Sequence, residues 1–308
     1  MIPRAPEPGR LDHALYEPRA SWLTPGRPWP DGRVAACVLI HLEAFEIDAP
    51  ANAHRDPGLR GDFGSFFPDY RSHSLFEYGS RIGVHRLLDL LQPLGWSVAV
   101  AVNGCIAQAR PSLLRQLQTR GVELLASGWS ASRMVTSQLA EDDERQMLAQ
   151  SADALAQAVG VRATGYASQD YGYSLHSARL LEALGFDHVV DWPNDEQPYT
   201  FGPRRQLVVL PPAADLDDAQ AILVRKLLAR RWGAAVAEAL GHWRSSAASG
   251  TVFILPLHAW VAGAAHRTAA LRRALESCEA QAFWQACPSL ISRCWRDGGG
   301  QPAPDTPR

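Results

Sequence analysis

Two side chains that can move protons stand two positions apart at the end of an apolar run. The run 34–42 is apolar apart from His41, and Glu43 follows it directly. Alternate residues of a strand point to the same side, so His41 and Glu43 share one face. A histidine and a carboxylate on one face can act as a general acid and a general base. The residues alone leave a second interpretation open, a buried hydrogen-bonded pair that closes the end of a barrel.

Polar side chains close or follow other apolar, β-rich runs in the same manner. Besides 34–42, these runs are 97–102, 122–126, 163–167, 188–190, 207–210 and 252–257. The polar residues at or after their ends are Asn103, Ser127, Asp170, Asp191, Asp195 and His258. Parallel strands buried on both faces have continuous apolar sequences, and in β/α barrels the carboxyl ends of the strands form the active-site face. The pattern therefore predicts a polar ring at one rim of a barrel.

The elements that would position this ring alternate between strand and helix. Apolar residues recur at helical spacing in 84–91, and a long helical region is predicted over 217–245. Right-handed crossovers would close the strands into an α/β fold, a seven-stranded distorted (β/α) barrel.

We expect one barrel domain over residues 33–296, which is long enough to bury one large core. An extended arm over 1–32, rich in proline and glycine, precedes it. A disordered tail over 297–308 follows it. Residues 44–80 form a long loop after the first strand, and loops of this length often carry function.

Composition and charge narrow the class of protein. The 308 residues are 46% hydrophobic and carry a formal net charge of −2, a balance that does not favour binding to nucleic acid or to an anionic membrane surface. Five cysteines without a Cys-x-x-Cys pair argue against a zinc site or a disulfide framework. The N-terminus has no apolar signal core, and no stretch approaches the ~20 apolar residues that a membrane helix needs. We therefore expect a soluble cytoplasmic protein.

Four segments in order resemble the polysaccharide deacetylase superfamily, carbohydrate esterase family 4. They are 77–86, which contains Tyr-Gly-Ser-Arg-x-Gly, 121–130 with its Gly-Trp pair, 191–199 with Asp-x-x-x-Asp-x-x-Pro-Tyr, and 257–267, which begins with Leu-His. They are most similar to the branch of metal-independent allantoinases. The resemblance covers nearly the whole chain, and it implies the same seven-stranded distorted barrel that the strand pattern predicts independently.

The sequence departs from the superfamily where a metal would bind. Metal-dependent members carry Asp-x-Asp after the first strand and His-x-x-x-His after the third. The matching positions hold His41 and Glu43, and then Ser127 and Ala131. Serine and alanine are not normal ligands of catalytic zinc, which needs about three protein ligands. We therefore expect no catalytic metal and no other cofactor.

The resemblance implies a metal-independent hydrolase that acts on an amide, ureide or N-acyl C–N bond of a small molecule. The catalytic candidates are His41, Glu43 and His258, and the superfamily counterpart of His258 serves as a catalytic acid or as a neighbour of the metal site. The candidates for substrate binding are Glu77, Arg81, Asn103, Ser127, Trp129, Asp170, Asp195 and Glu196. Two alternatives remain open, a catalytically inactive binding protein and a biosynthetic enzyme whose reaction is not hydrolysis.

These candidates also have structural interpretations. Arg81 has the donor geometry to bind a carboxylate or ureido group, or it forms an ion pair that holds the long loop. Ser127 enlarges the pocket as a small residue, since no nucleophile elbow surrounds it. The sequence leaves open whether copies of this chain form a homo-oligomer. Seven further histidines are interpreted as surface or helix residues without a role; they are His54, His73, His85, His176, His188, His242 and His266.

Overall fold

The structure is a computed structural model, which describes residues 15–17, 26–32, 34–50, 53 and 68–298. Most of the expected N-terminal arm, the middle of the loop after the first strand, and the expected disordered tail beyond Gly298 lie outside the described residues.

In the described part of the chain, nine strands form a single sheet. Along the chain they are β1 (Val34–Leu42), β2 (Val98–Val102), β3 (Glu123–Ala126), β4 (Gly165–Tyr166), β5 (His188–Val189), β6 (Tyr199–Phe201), β7 (Leu207–Val209), β8 (Thr251–His258) and β9 (Trp284–Gln285). Seven of them run parallel in the order β7-β5-β4-β3-β2-β1-β8, and these are the strands that the apolar runs predict. The short strands β6, antiparallel to β7, and β9, beside β1, are additions that the sequence pattern does not predict.

The two ends of the parallel sheet meet at a seam between β7 and β8. Pro212, just after β7, forms a parallel bridge with Ile254 of β8. The N–H of Ala213 donates to the carbonyl oxygen of Ile254 at 2.8 Å. Pro211 and Pro212 have no N–H to donate to a ladder, so the pairing here is short. The strands therefore form a distorted (β/α) barrel, as predicted.

Helices cover the outside of the barrel. They are α1 (Tyr70–Tyr78), α2 (Val84–Leu91), α3 (Gly104–Ala109), α4 (Pro111–Thr119), α5 (Glu141–Val159), α6 (Ser177–Ala183), α7 (Ala229–Ser246), α8 (Ala265–Glu276) and α9 (Pro288–Asp297). The prediction of one continuous helical region over 217–245 is wrong. A π-helical turn over Ala219–Val224 ends before Lys226, whose left-handed backbone (φ +57°) interrupts the helical path ahead of α7.

A π-helical turn over Gly79–Gly83 joins α1 to α2 and packs closely on the chain that follows β8. A Cβ placed on Gly83 would lie 1.8 Å from the carbonyl oxygen of Ala259, and one on Gly263 would lie 2.2 Å from the same oxygen. Glycine is required at both positions because the two backbones approach so closely. This contact holds α1 and α2 against the carboxyl rim of the barrel.

The alternation of side chains along each strand separates two apolar layers. Ala35, Cys37 and Leu39 of β1 face the lumen, where they pack with residues of the other strands and with Ile291 of α9, which covers the amino end of the barrel. The intervening residues of β1 face the helices and form the larger outer core. His41 continues the lumen-facing series at the carboxyl end. No helix among the described residues combines the length and apolar character needed to cross a bilayer.

Candidate active site

The structure brings the three predicted catalytic residues together at the carboxyl rim. His41 and His258 are directly paired in the register of β1 and β8, and their rings stack with centroids 4.9 Å apart and an interplanar angle of 16°. Glu43 follows β1 on the same face, and its Oε2 lies 3.9 Å from His258 Nε2. All three side chains are buried. The strands that the apolar runs predict therefore position this group.

Two adjacent aspartates hold the other side of the His258 ring. Asp218 Oδ1 lies 2.8 Å from His258 Nδ1 and also accepts the backbone N–H of His258 at 2.9 Å. Asp218 Oδ2 accepts the N–H of Ala262 at 2.7 Å, so the carboxylate is fixed from both oxygens. Asp217 Oδ1 lies 3.7 Å from His258 Nδ1. Because Nδ1 faces Asp218, Nε2 is left to face Glu43.

Sequence reasoning missed Asp217 and Asp218 as functional candidates. They fall at the start of the region interpreted as a long helix, where acidic residues are common because they favour the helix N-terminus. The available signal was the Asp-Asp pair itself, which directly precedes an apolar segment. Only the folded chain places this pair beside β8.

Burial and neighbouring charges separate the pKa values of the three catalytic candidates. Burial lowers the pKa of His41 well below its usual value, and the nearby His258 lowers it further. Burial also opposes the charged form of His258, but Asp217, Glu43 and Asp218 outweigh it and raise the pKa of His258 well above its usual value. Burial raises the pKa of Glu43 despite the proximity of His258. The site thus holds a neutral histidine, a cationic histidine and a carboxyl group that is easier to protonate than usual.

An aromatic wall stands beside Glu43. Trp260 Nε1 donates to Glu43 Oε2 at 3.1 Å, and the Trp260 ring lies 4.4 Å from that of Phe76 in α1. The Phe76 ring in turn lies 5.8 Å from that of Phe45. The tryptophan therefore orients the carboxyl group and excludes water from one side of it.

On the β3 and β4 side of the rim, two buried polar groups lack hydrogen-bond partners. Ser127 Oγ and Gln169 Nε2 have none among the described residues, although both side chains are buried. The Gln169 carboxamide lies against Gly128, where an added Cβ would be 2.5 Å from Gln169 Oε1. Gln169 was not a candidate from the sequence. The half-buried Trp129 packs against Gly104, where an added Cβ would lie 2.9 Å from its ring.

Asn103 is at the same rim but its side chain binds backbone groups. Its Oδ1 accepts the N–H of Ala44 at 3.0 Å, and its Nδ2 donates to the carbonyl oxygen of Ser127 at 2.5 Å. The side chain is fully buried and ties the ends of β1, β2 and β3 together. It positions Ser127 through these bonds.

Glu77 and Arg81 lie on the α1 side, outside the lumen group. Glu77 forms an ion pair with Arg110, and its Oε2 lies 4.0 Å from Arg81 Nη1. The Arg81 side chain is 69% exposed. Asp170 is likewise exposed, has a left-handed backbone (φ +47°) and accepts a hydrogen bond from Gln220 Nε2 at 3.0 Å.

The structure does not bring Asp195 and Glu196 to His258. Asp195 Oδ1 accepts the N–H groups of Glu196 and Gln197 in a local turn. The carbonyl oxygen of Glu196 accepts the N–H of Val252, near the start of β8. Val252 precedes His258 by six residues, which is about 20 Å along a strand. The turn therefore lies far from the proposed catalytic group.

The interpretation of His188 as a surface or helix residue is wrong. His188 is fully buried in β5, and Nε2 lies 3.6 Å from Glu123 Oε1 while Nδ1 contacts Asp187. These two acidic groups raise the pKa of His188 against the effect of burial. The cluster lies at the amino end of the barrel, because Glu123 begins β3 and His188 begins β5. It is separate from the His258 group at the opposite rim.

A second buried acid occupies the carboxyl rim at Asp191. Burial raises its pKa to about 7, although donors surround it. Ser168 donates from both its backbone N–H and its hydroxyl, and Tyr173 donates from its hydroxyl at 2.8 Å.

The residues at the superfamily's four metal positions do not fit a catalytic divalent cation. His41 and Glu43 could each offer a ligand atom, but Ser127 offers only a hydroxyl and Ala131 offers none, which leaves fewer than the about three protein ligands that such a site needs. Among the described residues, one set of three donors is grouped closely enough to hold an ion: Asp217, Asp218 and His258, with ligand atoms within 4.8 Å of one another. Their donor atoms already have partners: Asp218 binds His258 and Ala262, and Asp217 Oδ1 accepts the N–H of Gln220 at 2.9 Å. An ion there would have to displace the Nδ1 proton of His258.

Fold and site together define a β/α-barrel protein whose carboxyl rim carries a paired histidine–carboxylate centre. A family model described as polysaccharide deacetylase matches residues 70–189. No curated protein matches the chain significantly.

Several solved structures share the fold over almost their whole length. A candidate polysaccharide deacetylase from Mycobacterium smegmatis is 26% identical, with a TM-score of 0.72, and the match covers 92% of this chain and 99% of that one. The PuuE allantoinase is 22% identical with a TM-score of 0.79, and the match covers 91% and 98% of the two chains. A candidate polysaccharide deacetylase from Pseudomonas aeruginosa PAO1 is 23% identical with a TM-score of 0.75 and the same coverage. Residues 70–189 are thus similar to the polysaccharide deacetylase family, and the chain shares its fold with these structures over almost their whole length.

Proposed function

We propose that the protein is a metal-independent hydrolase that cleaves an amide, ureide or N-acyl C–N bond of a small molecule. The observation that carries this proposal is the arrangement of His258 between Asp218 at 2.8 Å and Glu43 at 3.9 Å. A histidine oriented through one ring nitrogen presents the other to a reacting group. The structural likeness to the PuuE allantoinase supports a site of the allantoinase-like type.

The pKa values assign different tasks to the two groups. Glu43, whose pKa is raised, takes a proton from water, and the water oxygen forms a bond to the carbonyl carbon of the substrate. His258, whose pKa is raised, is protonated and gives the Nε2 proton to the leaving nitrogen as the C–N bond breaks. Asp218 stabilises the cationic ring through Nδ1–H before the transfer. His41 is neutral and packs on the ring of His258, which restricts its movement.

The loss of ligand residues at two superfamily positions supports a second candidate function. Ser127 and Ala131 leave a barrel without the metal site of its metal-dependent relatives, which is also what an inactive binding protein would contain. A biosynthetic enzyme with a non-hydrolytic reaction could use the same proton-transfer groups, because fold does not fix function. The substrate panel described next tests hydrolysis against these alternatives.

The test is hydrolysis of a panel of allantoin, hydantoin and N-acetylglucosamine oligomers by the purified protein. At least one compound should be hydrolysed, and His258→Ala and Glu43→Gln should each lower kcat/KM by about 10²-fold or more, as expected for a general acid or base. His242→Ala, an exposed histidine of α7, is the matched control and should retain activity. Full activity of His258→Ala would contradict the mechanism, and no hydrolysis of any compound would favour a binding protein.

Metal content tests the second half of the proposal. Hydrolysis should persist after dialysis against a chelator, and elemental analysis should find well below one equivalent of zinc, iron, manganese or nickel. Loss of activity that returns with one of these ions would overturn the metal-independent mechanism.

A further inference from the structure

The unpartnered group of Ser127 lies in the same layer of the rim as Glu43, and that of Gln169 lies just beyond this layer, against Gly128. Backbone hydrogen bonds continue the pairing of neighbouring strands past the strand ends. The N–H groups of Asn103, Ser127 and Ala167 donate to the carbonyl oxygens of Leu42, Val102 and Ala126, respectively. Glu43, Asn103, Ser127 and Ala167 therefore form one layer around the rim. Ser127 shares the lumen-facing side of β3 with Leu125, and the Gln169 carboxamide lies against Gly128, the residue that follows Ser127.

Both groups are buried without a partner among the described residues, which is unfavourable unless a water molecule or a ligand completes their hydrogen bonds. Ser127 is 1% exposed and Gln169 is 5% exposed. Neither Ser127 Oγ nor Gln169 Nε2 has a hydrogen-bond partner among the described residues. Buried polar groups are nearly always hydrogen-bonded, so each exception needs an explanation, such as a functional role or a bound water or ion. The positive φ of Gly128 (+53°) and its lack of a Cβ leave the space that the Gln169 carboxamide occupies.

The charges at this rim favour an uncharged ligand. The buried acidic residues here are Glu43, Asp191, Asp217 and Asp218. Arginines on the surrounding elements already have partners: Arg133 pairs with Glu46, Arg110 with Glu77, and Arg86 donates to the carbonyl oxygen of Gly263. The cationic His258 is held by Asp218. An anion here would therefore face buried carboxylates, while the arginines nearby are engaged elsewhere.

We infer that Ser127 and Gln169 form the subsite for the carbonyl group of the substrate, and that this subsite selects a neutral amide or ureide over a carboxylate. Gln169 Nε2 and Ser127 Oγ donate to the carbonyl oxygen, which presents the carbonyl carbon to the water activated by Glu43. The orientation of the carbonyl group toward Glu43 rests on the proposed function. Binding of a neutral amide at the subsite can be measured without any turnover.

The test compares acetamide with acetate, which have the same shape and differ in charge at pH 7. Saturation-transfer NMR titrations of the full-length protein measure the Kd of each probe. Acetamide should bind at least about fivefold more tightly than acetate, and Gln169→Leu should weaken acetamide binding by about fivefold, the effect of one lost neutral hydrogen bond. Gln118→Leu, an exposed glutamine of α4, is the matched control and should bind acetamide normally.

Thermal unfolding distinguishes a binding role from a structural one. Because Gln169 Nε2 lacks a partner among the described residues, Gln169→Leu should leave Tm unchanged or raise it, whereas a structural glutamine would lower it. Ser127→Ala gives a second, smaller substitution with the same expectation and the same loss of acetamide binding. Equal binding of acetate and acetamide, or unchanged acetamide binding in both variants, would overturn the inference. Selective acetamide binding without hydrolysis of any panel compound would preserve the subsite and reject the proposed reaction.

Discussion

The acid–base chemistry proposed for the carboxyl rim depends on acidic residues that all raise the pKa of His258. Asp217, Glu43 and Asp218 favour the imidazolium form and overcome the burial that disfavours it. His41, which stacks on the same ring, has only burial and the positive charge of His258 acting on it, so it remains neutral. Two histidines with paired register positions thus acquire opposite properties from their surroundings.

The activity of the protein should have a bell-shaped pH profile. Glu43 must be deprotonated to act as a base, so activity rises with pH through a pKa that lies above the usual value for glutamate. His258 must be protonated to act as an acid, so activity falls as pH rises through its own raised pKa. The profile of kcat/KM for any hydrolysed panel compound measures both limbs. Activity that keeps rising with pH, without a fall on the alkaline side, would contradict the role of His258 as the acid.

Asp218→Asn tests the positioning of His258. Removal of the negative charge lowers the pKa of His258, so the alkaline limb of the profile should move to lower pH, with a loss in kcat of about 10²-fold. A purely structural aspartate would change the amount of folded protein and leave the position of the limb unchanged. Asp215→Asn, at an exposed aspartate of the same segment, is the control and should leave the profile unchanged.

At the scale of elements, strands were predictable where they lie in apolar runs that end at a polar or turn residue. β1 and β8 are buried along their whole length, so their sequences alone located His41, Glu43 and His258 at one rim. β4 and β5 are only two residues long but lie in such runs, whereas β6 and β9, of three and two residues, do not. Asp217, Asp218 and Gln169 reach the site through tertiary contacts with other strands, which periodicity in one segment does not encode.

The amino end of the barrel has its own ionic cluster, and it predicts a pH dependence of stability. Glu123 and Asp187 raise the pKa of His188, so the cluster stabilises the fold below the unfolded-state pKa of histidine and this contribution disappears as pH rises through the folded-state value. His188→Gln should lower the free energy of unfolding by about 3 kcal/mol at pH 5.5, the scale for a broken buried ion pair. The difference from the native chain should shrink at pH 9. Urea unfolding at both pH values measures it, and a constant difference would contradict the cluster's charge.

The junction between α1 and α2 can be tested at Gly83. The added Cβ of Gly83→Ala would collide with the carbonyl oxygen of Ala259, so we expect a loss of at least about 2 kcal/mol in the free energy of unfolding. Gly241→Ala in α7 meets no atom within 4 Å and should raise stability by about 0.5–1 kcal/mol, because alanine favours a helix. Urea unfolding of both variants measures the contrast, and a harmless Gly83→Ala would refute the close approach.

At the scale of the whole molecule, the two ends of the barrel do different work. The carboxyl rim holds the polar group proposed to act on substrate, and α9 covers the amino end with Ile291, which is fully buried against the lumen. The hydrophobic content and the apolar runs predict such a barrel, because parallel strands buried on both faces enclose one large core. They do not predict which end α9 covers, since its apolar stripe would fit several surfaces.

Ile291→Ala separates stability from chemistry. Loss of the buried side chain should lower the free energy of unfolding by about 2–5 kcal/mol, the cost of a large-to-small core substitution. The kcat of the folded fraction should not change, because the substitution lies at the end opposite to His258. Denaturant unfolding and steady-state kinetics of one preparation give both values. A fall in kcat without a change in stability would contradict the separation of the two ends.

The seam after β7 gives the barrel a preferred place to widen. Neighbouring parallel strands elsewhere are paired within the sheet, but in the described part of the chain β7 and β8 are joined just after β7, through the Pro212 bridge and the Ala213 N–H. Amide hydrogens along this boundary should exchange with solvent sooner than those of β1 and β2. A larger ligand in the lumen would be accommodated by separation of β7 from β8, while the other neighbouring strands remain paired.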